Sequence, residues 1–97
     1  MPKRTIEVEN AVSPGHHQKV DADKFEAVRD VYLAVLPSIE PGSTPAEILL
    51  ALTPRLPQDL FPGGAKAGWW AKCVQLDLEA KGLIVRGPKS PVRLRKV

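Results

Sequence analysis

Proline does most to limit what this chain can build. Ten prolines punctuate it, and each lacks the N–H that a helix interior or a central strand requires. The residue before a proline is also pushed out of the helical region. Pro37 therefore closes a first helical pattern at about Val35, Pro45 stands where a second begins, and Pro54 ends it. Pro57 and Pro62, with the double glycine Gly63-Gly64, make residues 55–64 mostly loop. Pro88 and Pro91 bracket a turn near the C-terminus. What remains is room for a few short helices and strands.

The patterns between the prolines name those elements. Thr5 to Glu9 alternates polar and apolar residues at the period of a half-buried strand. A turn signal follows at Ser13-Pro14-Gly15, and His17 to Val20 suits a short returning strand. Residues 1–22 thus read as an N-terminal arm or hairpin. A first helix is expected from Asp23, its cap, with Glu26 completing a capping box. Phe25, Val28, Tyr32 and Val35 give it one apolar stripe.

Thr44-Pro45-Ala46-Glu47 opens the second helix with a cap, a proline at the first helical position and an acid that can bond back. Ile48, Leu49, Ala51 and Leu52 form its buried face, and Leu60 and Phe61 should tuck back onto the core. The third helix is expected over 65–81, with Gly82 as a left-handed C-cap. Trp70, Val74 and Leu78 define one inward stripe, and Trp69, Cys73, Leu76 and Ala80 a second beside it. Leu83 to Val85 and Val92 to Arg95 read as strands joined by the Gly87–Pro91 turn.

A chain of 97 residues, 43% hydrophobic and 26% charged, supports one core and one domain, read here as the arm plus residues 23–97. It has no apolar run long enough to span a bilayer and no apolar segment of the kind found in a secretory signal. With one cysteine it cannot close an internal disulfide. These features point to the reducing environment of the cytoplasm and to no membrane partner.

Charge is unevenly divided. Residues 81–97 carry six bases and no acid, whereas residues 1–80 carry eight bases and eleven acids, which together give the net +3. The basic C-terminal end reads by charge alone either as a site for an anionic partner or as a solvated basic tail.

The element order is strand, three helices, strand, turn, strand. The run Leu78-Glu79-Ala80-Lys81-Gly82-Leu83-Ile84 resembles the end of the recognition helix in winged helix-turn-helix proteins. The run from Phe61 to Lys72, FPGGAKAGWWAK, is similar to that of a small family of uncharacterised bacterial proteins of about this length. The winged-helix resemblance implies an α+β fold of three helices with a C-terminal two-stranded wing. It also implies that helix 3 enters the major groove of DNA. The connection from Thr53 to Gly64 departs from the pattern, being longer than the usual three- or four-residue turn.

On that resemblance, Lys66 and Lys72 in the first half of helix 3 would meet phosphates or base edges, and Gln75 could read a base. Arg86, Lys89, Arg93 and Arg95 on or near the wing would contact phosphate or the minor groove. Helix 3 carries no arginine to read guanine, and Asp77 and Glu79 add negative charge to it. The competing expectation is a protein-interaction or homodimer module with Trp69 and Leu76 as contacts. Adjacent residues on a helix point about 100° apart, so Trp70 is expected inside, while Trp69 either completes the core under the arm, the favoured reading, or meets a partner.

No catalytic spacing is present: no glycine-rich phosphate loop, no nucleophile elbow, no His-Glu metal motif. His16-His17 lacks the spaced ligands of a metal site and reads as a solvated loop. Cys73 reads as a small buried hydrophobe. No cofactor, metal or small-molecule ligand is expected, and no enzymatic activity.

Overall fold

The structure, a computed structural model, describes residues 4–12, 15, 17–87 and 91–97. It is a small α+β fold in which three α-helices pack between two antiparallel hairpins. Strands β1 (Thr5–Val8) and β2 (Gln18–Asp21) pair with Thr5 opposite Asp21 and Val8 opposite Gln18. The alternation expected from the sequence holds on the inner face, where Val8 and Val20 are buried.

Strand β2 runs directly into helix α1 (Ala22–Val35). The Asp21 carboxylate caps it by accepting the N–H groups of Asp23 and Lys24 at 3.0 and 3.2 Å. The cap therefore lies two residues before the one expected. The reason is local: the Ala22 N–H is already bonded to the Arg4 carbonyl at 3.1 Å, which ends the strand at Asp21. Asp23 and Glu26 instead share the Arg4 guanidinium, at 2.6 and 2.7 Å. Phe25, Val28 and Tyr32 are buried as the stripe implied, with Leu36 beyond the helix end in place of Val35.

Helix α2 (Pro45–Leu52) begins with the expected capping box. The Glu47 N–H bonds Thr44 Oγ1 at 3.2 Å, and the Thr44 N–H bonds Glu47 Oε1 at 2.8 Å. Ile48 and Leu52 enter the core, while Leu49 is half-buried and Ala51 exposed. The long connection that follows is ordered by two 3₁₀ turns, Thr53–Arg55 and Pro62–Gly64. It delivers Leu56 and Phe61 to the core. Its length thus supplies two core side chains that eight-residue α2 has no room for.

Helix α3 (Ala67–Ala80) starts two residues later than its composition suggests, because Lys66 adopts a left-handed conformation, φ 59°. Trp70, Val74 and Leu78 point inward. Its end is a Schellman motif: the Leu83 N–H bonds the Leu78 carbonyl and the Gly82 N–H the Glu79 carbonyl, at 3.0 and 3.1 Å. Strands β3 (Ile84–Arg86) and β4 (Leu94–Lys96) then pair antiparallel. The α1–α2 connection closes on β4, with Ser43 and Leu94 exchanging backbone hydrogen bonds of 2.9 and 2.8 Å. Among the described residues, no helix is long and apolar enough to cross a membrane.

Candidate functional site

The residues expected to meet a partner separate into two groups. The wing arginines are turned onto carboxylates. Arg86 bonds Glu79 at 3.0 Å, Arg93 lies 3.6 Å from Glu47 and Arg95 3.8 Å from Glu40. Arg93 also donates to the Gly42 carbonyl at 3.3 Å. The bonds from Thr44, and more weakly Arg93, hold the Glu47 carboxyl below the usual carboxylate range. Exposed pairs of this kind are worth about 1 kcal/mol or less, but they cancel much of the wing's field. The uneven charge read from the sequence is therefore largely answered in three dimensions by acids from earlier in the chain. Lys89 lies outside the described residues.

Gln75 is not placed to read a base. Its side chain is 3% exposed, and its amide donates to Glu79 Oε1 at 2.9 Å. A side chain so enclosed cannot reach a base edge. Glu79 thereby holds Gln75 and Arg86 together, and Asp77 is buried as a structural group. The two acids that weakened α3 as a nucleic-acid helix are thus engaged inside the protein.

Lys66 and Lys72 stand apart from this network. Both are exposed, and neither forms an ion pair with a described carboxylate. They line two hollows that share Trp69, where α3 meets β2. One, of about 560 Å³, is bounded by Lys19, Lys24, Lys66, Val20, Asp21 and both tryptophans. The other, of about 150 Å³, is bounded by Lys72, Cys73, Leu76, Val8, Glu9 and Asn10. Gln18 and Trp69 border both. Lys19 and Lys24 likewise pair with no described carboxylate, so four lysines, from β2, α1, α3 and the residue that precedes α3, line the hollows that share Trp69.

Trp69 is 50% exposed, not tucked under the arm as the sequence favoured. Trp70 occupies the inward position and is buried. The two rings meet edge to face, centroids 5.0 Å apart at 85°, and Trp70 meets Phe61 the same way at 6.2 Å and 82°. This aromatic chain runs from the core to the surface and fixes the outer ring. Leu76 is half-buried beside it. Burial, with the charge of Asp77, pushes the Cys73 thiol up to about 11, so it stays protonated at neutral pH.

A family model matches residues 5–94, from the first strand to the last. The chain belongs to a family of unknown function (DUF6958). Searches of curated proteins and of solved structures returned no match. Membership in DUF6958 assigns no activity, so function rests on the site. Lys19 and Lys24 were not singled out in the sequence. The one available signal was alternation in β2, which turns Lys19 out where Val20 turns in; no local pattern tells that β2 lies beside α3.

Proposed function

We propose that this chain is a non-enzymatic winged-helix module that binds nucleic acid through the lysine-lined face of α3 and β2. Three features support the winged-helix reading. The helix order fits it, the β3–β4 hairpin follows α3 directly, and the α1–α2 connection joins the edge of β4 at Ser43. The observation that carries the binding reading is the convergence of Lys19, Lys24, Lys66 and Lys72 around Trp69, with no described carboxylate paired to any of them. Cations placed this way favour phosphate contacts, which position a polymer without reading its sequence. The burial of Gln75 and the pairing of the wing arginines move the reading away from base-specific contacts.

Lys66 adds to this. A left-handed conformation costs a residue with a side chain about 1–2 kcal/mol, and the chain carries lysine there despite glycines at 63 and 64.

Fluorescence anisotropy with labelled duplex and single-stranded oligonucleotides at low salt tests the proposal. Binding is expected within ~10⁻⁴–10⁻⁶ M, with log K falling against log salt at a slope near −3 to −4 for four phosphate contacts. No binding of either form at tens of micromolar overturns it.

A second reading, a homodimer through Trp69 and Leu76, is favoured by the half-exposed ring. A two-fold contact would bring this surface against its own copy, and with it the same lysines. That repulsion ranks it below nucleic acid. Sedimentation distinguishes the two, since only the dimer predicts self-association.

A further inference from the structure

We infer that the groove between β2 and α3 takes an unpaired nucleotide, its base stacked on Trp69 and its backbone phosphates held by the flanking lysines. The partner is therefore single-stranded nucleic acid, and the inference rests on the nucleic-acid reading above.

Three observations lead there. Trp69 borders both hollows and is half-exposed, so part of its ring is open to a ligand. The ring also packs edge to face on Trp70, itself packed on Phe61, and this contact limits the orientations open to it. A rigid platform loses little conformational freedom on binding. Finally, cations line both hollows, Lys19, Lys24 and Lys66 in one and Lys72 in the other. An aromatic ring between cations is the arrangement that tracks a single strand, with stacking on the bases and charge on the backbone.

Duplex DNA cannot use this ring, because each base face within a helix is covered by its neighbours. Glu9 and Asp21 also border the hollows. Four lysines stand against these two carboxylates, which leaves an excess of positive charge facing the groove. The Gln18 amide, common to both hollows, adds a hydrogen-bonding group beside the ring that suits any base.

The test uses the whole chain with an oligothymidylate of about ten nucleotides, within the ~4–16 nucleotides that compact single-strand sites cover. A duplex of equal length and polyglutamate serve as comparison probes. Expected are tighter binding of the single strand than of the duplex, and quenching of tryptophan emission on addition. Trp69→Ala should weaken single-strand binding by about 5–100-fold, the loss of one stacked base, and leave duplex binding unchanged. Trp69→Phe, which keeps a ring, should retain most of the affinity. Lys66→Gln and Lys72→Gln should each lower the salt slope by about one while preserving the single-strand preference.

Equal affinity for both forms, or single-strand binding indifferent to Trp69→Ala and Trp69→Phe, overturns the inference and leaves the broader function standing. Tighter, Trp69-dependent binding of polyglutamate overturns it in favour of an acidic protein partner. Failure to bind either nucleic acid removes the broader reading first.

Discussion

Asp77 and Glu9 are joined across 68 positions of sequence: the buried Asp77 carboxylate accepts the Glu9 backbone N–H at 2.9 Å. Its other oxygen takes the Lys81 ammonium, also at 2.9 Å. Two residues on, the Ala11 N–H bonds the Leu76 carbonyl at 3.2 Å. These bonds tie the outgoing end of β1 to α3 and so hold Glu9 and Asn10 at the edge of the smaller hollow.

Removing the carboxylate should therefore loosen one wall of the groove. Asp77→Ala strands a partly buried N–H and frees Lys81, and a stranded group of this kind costs about 1–3 kcal/mol. A loss of roughly 2–3 kcal/mol in urea unfolding is expected, with Asp77→Asn losing less because it keeps an acceptor for Glu9. A loss under about 0.5 kcal/mol would show that the arm is held by its apolar contacts alone.

That link also shows where sequence reading stops. The helices were legible because their signals are local: Thr44 and Glu47 three residues apart, Gly82 after Leu78, and apolar residues at helical spacing. The β1–β2 hairpin was legible from alternation and a turn. Asp77 was not, since nothing near it in sequence distinguishes a buried carboxylate from a solvated one; its partner is nine residues from the other end of the chain. The wing misled for the same reason. Arg86, Arg93 and Arg95 lie in a segment without acids, but Glu79, Glu40 and Glu47 reach them from α3, the α1–α2 connection and α2. Net charge along a chain records composition, whereas the field a partner meets depends on which charges fold together.

Lys66→Ala and Lys72→Ala should each weaken oligonucleotide binding and flatten its salt dependence by about one charge. Arg93→Ala and Arg95→Ala, whose guanidinium groups are already turned to Glu47 and Glu40, should change the slope by much less. Anisotropy titrations over a range of salt concentrations measure all four. A larger effect from the arginines would return the contact surface to the wing.

Gly42 is required where the α1–α2 connection meets β4. It has φ +82°, and a Cβ built on it would lie 2.5 Å from the Leu94 carbonyl oxygen. Gly42→Ala therefore combines a left-handed alanine with a backbone clash at the Ser43–Leu94 bridge. Together these should cost about 2–4 kcal/mol and lower the thermal midpoint. Gly82→Ala shares the conformation but meets nothing within 4 Å, so it should cost only about 1 kcal/mol. Equal losses at the two positions would mean that conformation, not close approach, sets the requirement at Gly42.

Stability at high pH should report on Tyr32 and Cys73. Burial, with Glu79 adding its charge, pushes the Tyr32 phenol above its ordinary value, and Cys73 is raised to about 11. Both groups are neutral when protonated, and the unfolded chain loses these protons first, at the ordinary values of 9.0 for the thiol and 10.0 for the phenol. The stabilising difference is thus fully present below about pH 8 and declines as pH rises through 9 to 11. Among the described residues the Tyr32 hydroxyl also has no hydrogen-bond partner, and an unpaired buried hydroxyl costs about 1–3 kcal/mol. Tyr32→Phe removes both effects at once. It should match or exceed the parent by about 1 kcal/mol at pH 7 and lose less stability on going to pH 11. Denaturant unfolding at the two pH values decides the matter. A variant less stable than the parent at pH 7, with an unchanged alkaline decline, would show that the hydroxyl has a stabilising partner.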